Sequence, residues 1–300
     1  MFSCCFNNRV INSLETDDTL DESDKKKIKK LLVKTKKNNH IGSGISSNIF
    51  VINYKLKKLS CKVIKERWKV ESENEIDVLK KLKKINSCYF PNFVTNFKLH
   101  NSHVICYEYV NGTDMQDLIV ENNVFKDNEK LVINLIFQIL LALFHLQKLH
   151  LVHLDLKPEN IIINSLDPMK VTIIDVAFST NYKKSKKLTK IYGTVGYMPP
   201  EIIYKKTIAN NSDMWSLGII IFLLMKEKYL FGVDEIDYVE ILKNSTLVLT
   251  YVKESIVSLS EKLQKLLLRC LDYNTDYRIT ITSLMKLIEN NYTIDKKIIT

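Results

Sequence analysis

The chain has 300 residues, of which 46% are hydrophobic, so it is long and apolar enough to bury a substantial core. Its formal net charge of +10 favours acidic partners in general without identifying one. The six cysteines show no spacing typical of a metal site or a disulfide framework, and the N-terminus lacks the apolar stretch of a signal peptide. We therefore expect an intracellular protein, in the cytoplasm, the nucleus or both.

The longest apolar stretches are residues 131–144 and 214–225. A membrane-spanning helix needs about 20 apolar residues, and these stretches are interrupted or shorter than that. We expect no transmembrane segment, and we predict that both stretches are buried helices.

Residues 1–37 differ in character from the rest of the chain, because the part from Lys25 to Lys37 contains eight lysines around Ile28, Leu32 and other apolar residues. This pattern is typical of a basic amphipathic helix on an anionic membrane, of a nuclear address, or of a cap packed on the next domain. We favour the cap. A weak additional contact with anionic membrane, nucleic acid or acidic proteins is compatible with the lysines.

A segment with two glycines comes next, and it comprises Ile41, Gly42, Ser43, Gly44, Ile45, Ser46, Ser47, Asn48 and Ile49. Taken alone, two glycines separated by one residue are as typical of an ordinary hairpin turn as of a phosphate-binding loop. The strand predicted after it carries two lysines. Alternation along a strand places Ser60 and Lys62 on one face and Lys65 on the other.

The segment from Val70 to Ile85 is predicted to be a helix, because Ile76, Leu79 and Leu82 recur at helical spacing. Glu75 lies one turn before Leu79, on the edge of the helix that faces inward. Glu71 and Glu73 are competing acidic residues. The apolar residues from Val104 to Val110 then predict a strand.

The most informative segment is residues 153–160, which read His-Leu-Asp-Leu-Lys-Pro-Glu-Asn and lead directly into a predicted strand. Asp155 and Lys157 are two residues apart, so in an extended loop their side chains point the same way. Asn160 offers an amide oxygen to a cation, and Asp175 follows a second apolar run, residues 171–174. Carboxylate and amide oxygens suit Mg²⁺, so this pattern indicates a metal-bound phosphate beside a hydroxyl that Asp155 orients.

This segment resembles the catalytic loop of eukaryotic-type serine/threonine protein kinases, and the other motifs follow the order expected of that family. The resemblance implies an α+β, two-lobed protein-kinase fold, with a small antiparallel β N-lobe containing one helix and a larger, mainly α-helical C-lobe. It places the kinase domain at 38–292, with the N-lobe at about 38–109 and the C-lobe at about 110–292. Residues 1–37 are then an N-terminal extension, and residues 293–300 are a tail.

The resemblance also implies an activity and its site residues. The activity is transfer of the γ-phosphoryl group of MgATP to Ser or Thr hydroxyls of protein substrates. Asp155 is the expected catalytic base and Lys157 neutralises charge, while Asn160 and Asp175 hold Mg²⁺. The expected ATP-binding residues are the glycine segment 41–49 and Ser60, Lys62, Glu75, Glu108, Val110, Asp114 and Ile162. Lys65 stays an alternative to Lys62 as the phosphate-binding lysine.

The resemblance also implies contacts made by Thr194, Glu201 and Asp213. Thr194 is expected to hydrogen-bond both Asp155 and Lys157, and Glu201 is expected to pair with Arg278. Asp213 is expected to accept hydrogen bonds from the backbone of the catalytic loop.

The sequence departs from the family pattern at four positions, which carry Ser47, Leu154, Val176 and Ala177. Leu154 stands where an arginine usually precedes the catalytic aspartate, so the chain is of the non-RD type and lacks the cation that clamps a phosphorylated activation segment. We therefore predict that activity does not require phosphorylation there. The departures leave one alternative open, a pseudokinase that serves as a scaffold or allosteric partner with little turnover.

Overall fold

The computed structural model describes residues 20–35, 40–43, 46–184, 187–232 and 234–295. The chain divides between Asn111 and Gly112 into two compact units. The first unit is built on an antiparallel sheet and the second is mainly helical, so the predicted fold class is confirmed. Gly44, Ile45 and Ser185, together with most of the N-terminal extension, lie outside the described residues.

The first unit contains one five-stranded sheet with strand order β1-β2-β3-β5-β4, in which every neighbouring pair is antiparallel. Its elements are α1 (Glu22–Lys34), β1 (His40–Ser43), β2 (Ser47–Tyr54), β3 (Lys57–Ile64), α2 (Lys69–Lys84), β4 (Phe93–Leu99) and β5 (Ser102–Glu108). Two predicted boundaries shift. The strand β5 ends at Glu108, so Val110 lies beyond it, and β3 ends before Lys65, which precedes a short 3₁₀ turn.

The lysine-rich helix α1 packs on the sheet of its own unit. Ile28 and Leu32, one turn apart, are buried in a core cluster with residues of β2, β3 and β5. The hydroxyl of Tyr54 donates a hydrogen bond to Asp24, and Lys29 Nζ donates to the carbonyl of Lys98 at 3.3 Å. The structure therefore places this helix as a cap. Contact of its exposed lysines with anionic partners stays a prediction.

The second unit contains two small antiparallel sheets, β7-β10 and β6-β8-β9, and a set of helices. Its elements are β6 (Thr113–Asp114), α3 (Met115–Asn122), α4 (Glu129–Lys148), β7 (Leu151–Val152), β8 (Ile161–Leu166), β9 (Met169–Ile173), β10 (Thr180–Asn181), α5 (Pro200–Lys205), α6 (Ser212–Lys226), α7 (Glu235–Leu242), α8 (Ser245–Ile256), α9 (Glu261–Cys270) and α10 (Ile281–Asn291). Side chains of polar residues cap several of these helices, as Ser260 does for α9.

Helix α4 is longer than the sequence indicates. It extends beyond the apolar stretch 131–144 at both ends and reaches 20 residues, so the expectation that this stretch is too short to cross a membrane is wrong: by length and composition the helix could do so. It is nevertheless a core helix, because 72% of its most apolar 18-residue stretch is buried inside the unit. Helix α6 is likewise buried from Ser212 to Met225. Both stretches are the buried helices that the sequence predicts, since a helix that is apolar all round needs cover on every side.

Candidate active site

Lys62 and Glu75 form a buried ion pair in the first unit. Lys62 Nζ donates to both carboxylate oxygens of Glu75, at 3.0 and 2.9 Å, and the residues are 4% and 2% exposed. Strand β3 supplies the lysine, and α2 supplies the glutamate from its second turn. Lys65 is exposed beyond the end of β3, so the pairing favours Lys62 over Lys65. Glu75 is thereby distinguished from its competitors Glu71 and Glu73 as the partner.

The nucleotide-binding candidates Ser60 and Glu108 lie in the same sheet as Lys62. Ser60 is buried and pairs across β3 and β5 with Tyr107, which is also buried. The backbone N–H of Glu108 donates to the carbonyl of Asn92, and its carboxylate accepts from Lys57 Nζ at 2.7 Å. Because that N–H is engaged, an adenine contact by Glu108 would use its carbonyl. The roles of Ser60, Glu108 and Val110 in binding ATP stay predictions.

In the described part of the glycine segment, Ser43 at the end of β1 pairs with Asn48 of β2. Ser47 is buried at the start of β2. A Cβ atom placed on Gly42 would meet no described atom within 4 Å, and Gly42 does not have the positive φ that favours glycine. The described fold therefore gives no steric reason for glycine at this position. Glycine at position 42 would still allow a ligand to approach the backbone closely.

In the second unit, Thr194 joins the two predicted catalytic residues. Its Oγ1 donates to Asp155 Oδ1 at 2.7 Å and accepts from Lys157 Nζ at 2.8 Å. Lys157 Nζ also lies 3.8 Å from Asp155 Oδ2. The predicted contacts of Thr194 are confirmed, and they hold a carboxylate and an ammonium group side by side.

The environment of Asp155 changes its acidity in opposing directions. Burial raises the pKa of this carboxyl, and the negative charge of Asp175 adds to the increase. The charge of Lys157 and the hydrogen bonds from Thr194 and Asn160 act in the other direction, and burial prevails. A carboxylate with a raised pKa is a better proton acceptor, which suits a group that orients a hydroxyl.

A backbone hydrogen bond brings the segment that carries Asn160 next to the segment that carries Asp175. Asn160 Nδ2 donates to the backbone carbonyl of Asp155 at 2.9 Å and to its Oδ2 at 3.2 Å. The carbonyl of Asn160 accepts from the N–H of Ile174, directly before Asp175. With its NH₂ group engaged, Asn160 has its amide oxygen to offer to a cation.

This donor set fits Mg²⁺. Within the described part of the chain, no three His, Cys, Asp or Glu side chains are grouped to hold a metal by themselves. Mg²⁺ is usually held by one or two protein oxygens and completed by phosphates and water. Asn160 and Asp175 supply oxygens of that kind, and a cation there would offset the repulsion between Asp155 and Asp175.

Asp213 fixes the backbone of the catalytic loop. Its carboxylate accepts the N–H of His153 at 2.7 Å and that of Leu154 at 2.9 Å, as predicted. Complete burial raises the pKa of Asp213 to about 6. His153 is also fully buried, and its Nδ1 accepts the N–H of Asp155 at 3.3 Å. Burial lowers the pKa of His153 to about 4, so the ring is neutral at physiological pH.

Leu154 lies in an apolar cluster with several residues of the activation segment, the part of the chain from Asp175 to Glu201. The segment is tied to this side chain by apolar contacts, since the buried members of the cluster are Val152, Leu154, Leu188, Met198, Ile202 and Ile208. Phe178, Tyr182, Tyr192, Val195 and Ile203 pack against them. The backbones also come close here, because Gly193 has φ of +114° and a Cβ on it would lie 2.5 Å from the carbonyl oxygen of Leu154. Any larger residue at 193 would therefore displace the segment from the loop.

The predicted Glu201–Arg278 pair is confirmed and is bidentate. Arg278 Nη1 and Nη2 donate to the two carboxylate oxygens of Glu201 at 2.7 and 2.8 Å, and both residues are buried. Ser212 Oγ adds a hydrogen bond to Glu201 Oε1 at 2.9 Å. The pair anchors the C-terminal end of the activation segment.

Sequence reasoning missed two residues that hold the segment before Glu201. Ser216 Oγ donates a hydrogen bond to the backbone carbonyl of Tyr197 at 2.8 Å. The Tyr238 hydroxyl donates a hydrogen bond to the backbone carbonyl of Met198, also at 2.8 Å. Trp215 Nε1 in turn donates to the Tyr238 hydroxyl. Ser216 could have been found, because a polar residue inside a buried apolar helix needs a partner. Tyr238 carries no comparable signal.

Two further predicted ATP-binding residues, Asp114 and Ile162, lie in the second unit. Asp114 precedes α3, and its Oδ1 accepts the N–H of Asp117 at 2.9 Å, so it caps that helix. Ile162 lies in β8 opposite Asp114, in the register of β6 and β8. Contact of either residue with ATP stays a prediction.

Comparison with known proteins agrees with this geometry. A sequence model of the protein kinase domain family matches residues 35–288, and the chain belongs to that family. The predicted relationship to eukaryotic-type serine/threonine protein kinases is confirmed.

Among its relatives are two myosin light chain kinases and one serine/threonine-protein kinase. Myosin light chain kinase family member 4 of Homo sapiens is 33% identical over 171 residues, which are 56% of this chain and 43% of that protein. Myosin light chain kinase 3 of Rattus norvegicus is 31% identical over 169 residues, covering 56% and 21%. Serine/threonine-protein kinase CLA4 of Candida albicans is 28% identical over 187 residues, covering 60% and 19%. The chain spans less than half of the length of each.

Proposed function

We propose that this protein is an active serine/threonine protein kinase of the non-RD type, which transfers the γ-phosphoryl group of MgATP to Ser or Thr hydroxyls of protein substrates. The observation that carries the proposal is the Asp155–Thr194–Lys157 arrangement. It presents an acceptor for the hydroxyl proton and a positive charge for the transferred group, both held by one threonine.

The steps assigned to the protein's own residues follow from these contacts. Asp155 accepts a hydrogen bond from the substrate hydroxyl and aims its oxygen. Lys157 offsets negative charge that develops on the phosphoryl group. Asn160 keeps the Asp155 carboxylate in place through its NH₂ group, and Asp213 keeps the backbone of the loop in place.

The remaining candidates are assigned to the nucleotide and its metal ion. Lys62, oriented by Glu75, binds phosphate oxygens, and the glycine segment approaches them with its backbone. Asn160 and Asp175 are the residues that would hold Mg²⁺, which when bound neutralises phosphate charge.

Regulation is assigned to the apolar cluster around Leu154. Where a family member with arginine at this position would need a phosphate to engage it, this chain has a leucine packed against the activation segment. We propose that the segment keeps its active conformation through these contacts, without phosphorylation.

The proposal is tested by phosphoryl transfer from radiolabelled ATP with Mg²⁺ to a generic basic protein substrate and to the protein itself. We expect Asp155→Asn to reduce transfer by at least about 100-fold, which is the usual contribution of a positioned base. Asp276→Asn is the matched control, because Asp276 is an exposed acid of the same unit. Equal transfer by the unaltered protein and Asp155→Asn would instead support the pseudokinase alternative.

A further inference from the structure

Two cysteines of the first unit face each other across neighbouring strands. Cys61 of β3 and Cys106 of β5 are direct partners in the antiparallel register. Their Sγ atoms lie 3.2 Å apart, and neither residue is exposed to solvent. The position of the pair follows from the sheet alone and is independent of the proposed kinase activity.

The strand geometry permits a bond between them. Direct partners in an antiparallel pair have Cα separations of about 4.5–5.5 Å. Disulfides join Cα atoms about 4.4–6.8 Å apart, so these two positions already lie within the range. Formation of the bond therefore requires little movement of the backbone.

The surroundings restrict what else these thiols can react with. Ile28 and Leu32 of α1 belong to the same buried cluster, so the helix covers the face of the sheet on which both cysteines lie. Bulky thiols such as glutathione have no access while α1 is in place. The two other free cysteines in the described part of the chain are Cys88, which is exposed, and Cys270, which belongs to the second unit.

We propose that Cys61 and Cys106 are a reversible dithiol–disulfide site, that a small peroxide is its oxidant, and that α1 controls access to it. One thiolate attacks the peroxide O–O bond and becomes a sulfenic acid, releasing one water from hydrogen peroxide. The second sulfur displaces the sulfenic hydroxyl, which leaves as a second water, and the S–S bond forms. Two thiols lose two electrons and two protons, and one peroxide gains them.

The closed state protects the pair from this reaction. The hydrogen bond with Cys61, together with burial, raises the pKa of Cys106 well above its ordinary value. Since the thiolate is the reactive form, oxidation proceeds from the conformations in which α1 has separated from the sheet. Its rate therefore reports on the docking of α1.

The test uses the purified full chain treated with graded hydrogen peroxide, then denatured in N-ethylmaleimide and mapped by mass spectrometry. We expect a peptide pair linked through Cys61 and Cys106, lighter by two hydrogen atoms than the reduced pair and restored by dithiothreitol. Cys88 serves as the internal control for the oxidant. Full alkylation of Cys61 and Cys106 after Cys88 has been oxidised would overturn the proposal.

Two variants sharpen the result. Cys106→Ser should abolish the linked peptide, and a link from Cys61 to another cysteine in that variant would show that the pair is not a preferred site. Leu32→Ala should accelerate formation of the link several-fold while leaving the oxidation rate of Cys88 unchanged. An unchanged rate in Leu32→Ala would overturn the role of α1.

Discussion

The carboxylate of Asp213 accepts the backbone N–H of Leu154, although the two residues lie 59 positions apart. This contact connects the start of α6 with the residue directly before Asp155. The catalytic loop therefore has its shape set by a helix of the core, and Leu154 adopts a positive φ of 67° within that arrangement.

Replacing this carboxylate tests its role as a positioning residue. In Asp213→Asn one of two acceptor oxygens becomes an NH₂ group, which leaves a buried backbone N–H without its partner. We expect the free energy of unfolding to fall by about 1–3 kcal/mol and kcat to fall about 100-fold, with little change in the KM for ATP. Urea unfolding and steady-state kinetics measure the two effects. A KM that rises while kcat is unchanged would contradict the role.

Thr194 can be tested with a conservative pair of substitutions. Thr194→Val keeps the shape but removes the hydroxyl between Asp155 and Lys157, and we expect kcat to fall about 10–100-fold. Thr194→Ser retains the hydroxyl and should keep most of the activity. Similar losses in both variants would show that the methyl group, and not the hydrogen bonds, accounts for the effect.

The Lys62–Glu75 pair gives a prediction for nucleotide binding. We expect Lys62→Met to abolish most of the increase in melting temperature that MgATP gives the unaltered protein, because this substitution removes the cation that we propose binds the phosphates. Lys65→Met is the matched control, since Lys65 is exposed and lies directly after the same strand. If Lys65→Met removed the increase and Lys62→Met did not, the assignment of the lysine would be reversed.

Glu201 and Arg278 are expected to affect stability because each neutralises the buried charge of the other. Glu201→Ala leaves the buried guanidinium without its partner and should reduce the free energy of unfolding by about 3–5 kcal/mol. The double variant Glu201→Met/Arg278→Met should lose less than Glu201→Ala alone, because no unpaired charge remains. Urea denaturation of both variants measures the difference. A double variant that is less stable than the single one would contradict this account.

The lowered pKa of His153 predicts that the free energy of unfolding depends on pH. Its pKa is about 4 in the folded protein and about 6.5 when exposed in the unfolded chain, so the unfolded state binds more protons between these values. The stabilising contribution is complete above pH 6.5 and is lost as the pH falls towards 4, by up to about 3 kcal/mol.

The comparison of the unaltered protein with His153→Gln isolates this effect. Asp213, whose pKa is raised to about 6 by burial, changes stability in the opposite direction between about pH 4 and 6, but it does so in both proteins. Urea midpoints from pH 4.5 to 7 should therefore converge between the two proteins as the pH falls. Parallel curves would show that His153 does not titrate as predicted.

The activation segment is predicted to work without phosphate. Replacing Ser185 and Thr189 with Ala and Tyr192 with Phe should leave kcat within about twofold, because the last substitution keeps the ring that packs against Phe178. Leu154→Ala should reduce kcat and increase proteolytic cleavage of the segment, since it removes apolar contacts with Leu188 and Met198. A loss of activity in the triple variant would contradict phosphate independence.

The sequence by itself determined the family and the order of the motifs, because the catalytic-loop residues must stand at fixed spacing within one short loop. It also predicted the Glu201–Arg278 pair, whose two residues occupy positions that the family motif specifies. For the Lys62–Glu75 pair the sequence left Lys65, Glu71 and Glu73 as alternatives, and the structure selected the two partners. Its errors were local. The length of α4 depended on polar residues that flank the apolar stretch and continue the helix, and the end of β3 depended on the turn directly after it.

Tertiary structure alone decided the distant contacts that no family motif specifies. The packing of Leu154 with Leu188 and Met198, the burial of one face of α1, and the contact between Cys61 and Cys106 depend on strand register and on how elements pack. Periodicity fixes which face of an element is apolar, but many surfaces can cover an apolar face equally well. Only the folded chain selects one of them, because the covering residues come from positions that are remote in sequence.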